Sequence, residues 1–466
     1  MTEAPEGTTP AIAAGTDTAA ATAEAGGTTL VRSLGLWDSV SLILGIMVGS
    51  GIFLMAGSIA MQLDSLAAVV AVWTFGGVLS LCGAAALSEL GAAMPDAGGL
   101  YVYLTRAYGR GVGFVYGWSA MALIHAGGLA TLVTAMGLYA APVLGLSEPQ
   151  RKTLELACLA VFVVINCLGV AVGKWVQNLL TAVKVGGIAV MTAVLYAHGS
   201  VDRLFGRWAP QAAGTSLVGF GVALVAVLWA YDGWHFISFA AGEVRDAPRT
   251  LPRSLLLGTG LTLAIYVVVN LAYYAVLAPG QIRGTTRVAA DAVHHAVGQG
   301  ASVLISLLIA ISILGTINGI MLGAARVNYA MAKDGLFFRS LARLSPRFRT
   351  PVTATVVQGL FAAAFTMVGS FQQLFTSYVF TSWIFYGLAV AGVMILRRRE
   401  PHLARPYRCP WYPATPAFFV VATAGIVASS FVAAFWQALT GVALILAGVP
   451  LYFVFRALDR RRACSA

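Results

Sequence analysis

From residue 36 almost to its end, the chain is a succession of apolar stretches, each near the length that a bilayer demands. About 20 apolar residues are needed to cross the hydrocarbon core as a helix. In that medium each backbone amide must be satisfied within the structure itself, which restricts what can span it. Twelve candidate spans can be drawn, near 36–63, 66–92, 112–145, 153–172, 175–198, 216–242, 254–278, 302–332, 352–370, 373–396, 415–436 and 438–458. Of the 466 residues, 59% are hydrophobic and 10% charged, which excludes an ordinary soluble protein. The expected fold class is an all-α polytopic membrane protein with twelve transmembrane helices and no soluble domain between them. Residues 1–30 are predicted to form a disordered cytoplasmic tail, being rich in Ala, Thr and Gly with no basic residue before Arg32. That tail has neither the basic nor the apolar region of a cleaved signal peptide.

The net charge of +11 invites a nucleic-acid reading, and the placement of the charges argues against it. With twelve spans, 22 of the 29 basic residues fall on one side and six on the other, with Lys184 inside a span. Such a split is the positive-inside signal. It predicts both termini in the cytoplasm and no nucleic-acid partner. The five cysteines avoid the predicted outside loops, so no structural disulfide is expected. No Cys/His spacing reads as a zinc site, and no metal or cofactor is expected.

Within the first span stands "GIMVGSGIFLM", Gly45 to Met55. Glycine inside a helix costs about 1 kcal/mol relative to alanine. Gly49, Ser50 and Gly51 together fit two readings: close packing against a neighbouring helix, or an unwound segment whose free amides and carbonyls bind a ligand. A second interruption, "LWAYDGWHF", places Asp232 and Gly233 inside the sixth span. A carboxylate at that depth is expensive and usually functional. Paired interruptions in the first and sixth spans point to a transporter binding site between two repeats. A third signal is Lys184, too deep in the fifth span to snorkel, so that it must face a cavity or a partner.

Three stretches, "VGSGIF", "QNLLTAVKVGGIAV" and "WAYDGWHFISFAAGEVRDAPRTLPRSL", resemble the amino acid–polyamine–organocation superfamily, most closely the bacterial branch of the L-type amino acid transporter family. "ISILGTINGIMLGAARVNYAMAKDGLFF" is similar to that family's eighth helix and following loop. The resemblance implies a five-plus-five inverted repeat with broken helices 1 and 6, plus two C-terminal helices. It divides a single transporter domain, 31–460, into repeats near 36–198 and 216–396 and extra helices near 415–458. It also implies that the amides of Ser50, Gly51 and Ile52 meet the carboxylate of an L-amino acid. The ammonium would meet carbonyls near Ile46 and Met47, with Trp229, Ala230 and Asp232 adding carbonyls from the sixth helix. Trp229 would close over the substrate, and His235 would border its side chain, although a packing role suits His235 equally. Asp232 is compatible with capping the interruption or with partnering a proton or ammonium. Lys184 would stand where sodium-coupled relatives hold the ion, tying Gly45 or Val48 to Ser312 and making transport sodium-independent. The loop near 140–153 contains no cysteine, so no disulfide-linked partner subunit is expected.

The function expected is secondary transport of small or neutral amino acids across the plasma membrane. Exchange is preferred, and proton symport is the alternative. An amino acid sensor on a transporter fold is a reading of a different class. An enzyme is not expected, because the six histidines are scattered and form no constellation with acidic residues.

Overall fold

The computed structural model describes residues 30–208, 216–285, 287–368, 371–433 and 435–464, so the predicted tail lies outside the described residues. These residues fold into helices α1 Leu36–Met47, α2 Gly51–Gln62, α3 Leu66–Ala93, α4 Leu100–Tyr108, α5 Arg110–Ser119 and α6 His125–Leu144. There follow α7 Glu148–Cys167, α8 Val170–His198, α9 Asp202–Trp208, α10 Leu217–Ala230, α11 Ala247–Val276 and α12 Pro279–Arg283. The last are α13 Val288–Val297, α14 Gln299–Lys333, α15 Val352–Val368, α16 Phe371–Arg399, α17 Ala414–Ala433 and α18 Phe435–Cys464. A π turn, Ala120–Ile124, joins α5 to α6, and a 3₁₀ segment, Phe236–Glu243, follows α10 after a gap.

The protein is an all-α, multi-pass membrane protein. Among the described residues, eight helices are long and apolar enough to cross a membrane, and the bent pair α1–α2 makes nine. α10 and α15 are apolar but shorter. α7 opens with Glu148, Arg151, Lys152 and Glu155, which lower its hydropathy although it is 20 residues long. All twelve expected stretches are largely helical, but the expected third span begins earlier, at Arg110, and contains the π turn. The short helices α4, α9, α12 and α13 carry no span-length apolar signal, and sequence reading did not anticipate them.

Local chemistry explains where the helices start. Ser65 accepts the amide of Ala68 at 3.2 Å and caps α3, and Ser216 caps α10 by accepting the amide of Gly219 at 2.9 Å. Asp38, in the first turn of α1, accepts the amide of Gly35 at 2.9 Å and suits the positive end of the helix. Packing then centres on α1. It lies among α8, α11 and α14, while α11 packs along α3.

Two buried acidic groups brace one end of the bundle. Glu243 and Arg326 form a bidentate pair at 3.1 Å for both bonds, with side chains 0% and 1% exposed. Arg326, one of the 22 basic residues assigned to the cytoplasmic side, is buried within α14. Glu89 receives two bonds from Arg397, at 2.8 and 2.6 Å, and the amide of Cys409 at 2.7 Å. The chain just before α1 is stitched to the chain after the 3₁₀ segment. Ser33 and Leu34 donate their amides to Glu243 O, and Arg245 returns its amide to Leu34 O.

Candidate binding site at the two helix breaks

The first break spans Val48–Ser50 and turns the chain by 43° between α1 and α2. Val48 still donates its amide to Leu44, and Gly49 donates to Met47. The amides of Ser50, Gly51 and Ile52 find no acceptor among the described residues, because the bonds of α2 begin with Phe53 and Leu54 on Ser50 O. Three free donors thus sit at the N-terminus of α2, the positive end of a helix dipole.

The second break, Tyr231–His235, separates α10 from the 3₁₀ segment. Its turn requires Gly233, whose φ is +121° and whose missing Cβ leaves room for Ile46. Asp232 caps the break itself, since its Oδ1 accepts the amide of Gly233 at 2.9 Å and the hydroxyl of Tyr386 at 2.9 Å.

The breaks touch each other. A Cβ on Gly51 would lie 2.6 Å from the Cα of Ala230, so only glycine allows the two backbones to meet there. The buried Tyr266 hydroxyl lies within bonding reach of Met47 O and, at 2.8 Å, of Ala230 O. With one proton to donate, it can serve one carbonyl at a time.

Between the breaks lies a cavity of about 30 Å³. That is room for roughly one or two water molecules. An amino acid therefore enters only when the walls move apart. Ile46, Met47, Gly49, Ser50, Gly51, Trp229, Ala230 and Asp232 line it, all of them singled out from sequence. Ile52 and His235, also singled out, are not among the lining residues. His235 lies behind Asp232, with Nδ1 3.8 Å from Oδ1, too far for a hydrogen bond. Its ring packs against Tyr386 and Phe236 at centroid distances of 4.5 and 4.7 Å. The remaining wall comes from Gly128, Leu132, Phe236, Thr316, Ile320 and Tyr378. No residue-type pattern marked Ile320 or Tyr378, whose membership depends on how distant helices meet.

Lys184 is fully buried and donates to Gly45 O at 2.7 Å. Its second partner is the Thr316 hydroxyl, at 3.4 Å, rather than Ser312. Ser312 instead donates to Val48 O at 3.1 Å. Thr316 lies one turn beyond Ser312 on α14, which brings it level with Gly45. It also reaches Gly45 O at 3.2 Å and Ile46 O at 3.4 Å. Gly45 is held on a second side. A Cβ there would lie 1.9 Å from Gln177 Nε2 and 2.4 Å from Thr181 Oγ1. Gln177 is fixed by Asn318, which donates to its Oε1 at 2.9 Å and accepts from Asn166 at 3.0 Å. Among the described residues no group of three or more His, Cys, Asp and Glu could hold a metal ion.

Two interrupted helices meeting over a small cavity, with free amides at one wall and a buried ammonium behind the other, define a membrane transporter of the broken-helix kind. Sequence comparison narrows the class. The family model described as amino acid permease matches residues 34–455, and the chain belongs to that family. The chain is 31% identical over 442 residues to the serine/threonine exchanger SteT of Bacillus subtilis, covering 91% of this chain and 97% of that protein. It is 29% identical over 436 residues to the human b(0,+)-type amino acid transporter 1, covering 92% and 88%. It is 27% identical over 437 residues to the human Asc-type amino acid transporter 1, covering 91% and 81%.

Proposed function

We propose that this chain is a sodium-independent exchanger of small or neutral L-amino acids. It works by alternating access in the plasma membrane, with twelve spans in two repeats of five plus two and with both termini cytoplasmic. The observation that carries the reading is the meeting of the two breaks over one cavity. The free amides of Ser50, Gly51 and Ile52 suit a carboxylate. The carbonyls of Ile46, Met47 and Ala230, on residues that line the same cavity, suit an ammonium once the Tyr266 and Thr316 hydroxyls that reach them give way. One of the relatives is a serine/threonine exchanger, which favours a small side chain. Sodium independence rests on Lys184, whose ammonium takes Gly45 O, a carbonyl that a bound cation would otherwise need.

Purified protein in liposomes tests this reading. Labelled serine, threonine or alanine should enter only when the lumen holds an unlabelled amino acid, and at the same rate with sodium or choline outside. Uptake into empty vesicles driven by an inward proton gradient would replace exchange with symport. Substrate binding without counterflow would replace transport with sensing.

A further inference from the structure

A second and much larger cavity, of about 680 Å³, opens among the end of α5, the π turn, α15, α16 and α18, away from the helix breaks. Its size falls in the range of ligand sites. Two of its polar side chains, Ser377 and Gln437, lie toward one end. Trp436, Gln437 and Ser377 line one end, near the α15–α16 and α17–α18 connections. Phe361, Leu123 and Leu444 line the other. Leu444 is seven residues beyond Gln437 on α18, so the cavity descends by about 10 Å. That is most of one leaflet of a hydrocarbon core about 30 Å thick. The side-chain amide of Gln437 has no partner among the described residues, although its backbone carbonyl accepts from Ser377 at 3.4 Å.

We infer that this cavity is an intramembrane lipid site: one acyl chain of a phospholipid lies along Leu444 and Phe361, and the Gln437 amide donates to an ester carbonyl of that lipid. Every wall is a membrane-spanning or apolar helix, so the occupant comes from the bilayer. Gln437 and Ser377 lie where a lipid carries its esters, and Phe361 and Leu444 where it carries its tail, the Trp118 indole N–H at that end being already donated to Leu444 O at 3.1 Å. The inner wall is the π turn, through Ala122 and Leu123. π turns are rare and cluster at functional sites. His125, the first residue after the π turn, packs its ring against Phe236 and Phe239 of the 3₁₀ segment that follows the second break, at 5.5 and 5.4 Å. The lipid chain therefore supports the helix whose opposite side, at Gly128 and Leu132, faces the central cavity.

The test uses the full chain in phosphatidylethanolamine–phosphatidylglycerol vesicles doped with a phospholipid bearing a diazirine near the end of one acyl chain. After illumination, peptide mapping should place label at Leu123, Phe361 and Leu444 above the level on the lipid-facing residues of α8, such as Leu179 and Val190. Ala364→Phe adds a ring to the cavity wall from a position that is exposed in the protein. It should reduce that label to the α8 level. Gln437→Leu, which removes the donor without filling the cavity, should also reduce it and serves if Ala364→Phe does not fold. Label spread evenly over all lipid-facing helices, or label unchanged in both variants, overturns the site. So does exclusion of the probe by a second copy docked through α18, seen as a cysteine cross-link between two chains at Trp436→Cys.

Discussion

A single missing methyl group sets the distance between the two breaks. Because a Cβ on Gly51 would lie 2.6 Å from Ala230 Cα, Gly51→Val pushes α2 away from α10 as well as crowding the free amides. Uptake should be lost, with substrate no longer protecting the protein from thermal unfolding; normal substrate protection in the variant would separate Gly51 from binding. Lys184 acts at a different point. It touches the first helix and α14 and is absent from the cavity wall, whereas its partner Thr316 is part of that wall. Removing the ammonium leaves Gly45 O with the weaker Thr316 bond, at a cost of about 1–3 kcal/mol for an undersatisfied buried group. Lys184→Ala should lower turnover far more than apparent affinity. Thr316→Ala should raise KM as well as lower turnover. Exchange kinetics across a range of external substrate concentrations measure both, and full turnover in Lys184→Ala would remove its bridging role.

At the scale of elements, ion pairs of different depth tie the 3₁₀ segment and α1 to the helices behind them. Glu243 and Arg326 are both essentially inaccessible, while Lys174 and Asp38, 3.2 Å apart, are about a quarter exposed. Removing one member of a buried pair costs about 3–5 kcal/mol, because the other charge is left without its partner. Exposed pairs are worth about 0–1 kcal/mol. Arg326→Ala should therefore lower the unfolding temperature in detergent markedly, and Lys174→Ala only slightly. Equal shifts would mean that the two pairs carry similar loads. Much of this level was legible in the sequence. Gly49–Ser50–Gly51 and Asp232–Gly233 announce interruptions because glycine and a carboxylate are costly in mid-membrane. Lys184 announces a partner for the same reason. Arg326 misleads because it groups with Lys333 and the arginines of 339–349 near the end of a helix, where charge normally marks topology. Its depth depends on Glu243, 83 residues away. The choice of Thr316 over Ser312 was equally hidden, since it turns on the register of α14 against α1.

The whole molecule presents its central site as backbone, with few charged side chains. Recognition by main-chain amides and carbonyls demands both ends of a free amino acid. An amino acid amide, or an N-acetyl amino acid, should fail to inhibit exchange at concentrations where the parent amino acid competes fully. Competition by either would show that side-chain contacts dominate. The helices themselves were predictable from apolar length, whereas Tyr378, Ile320 and Tyr386 join the site through contacts that no local pattern encodes. The stitch between residues 33–34 and 243–245 has a practical consequence. It fastens the entry to α1 and the exit from the second break into one handle, although more than 200 residues separate them along the chain. A fluorophore or fusion attached at Ser33 or Arg245 therefore loads both inner half-helices at once. One attached at the α8–α9 turn does not, which makes that turn the sounder place for a reporter.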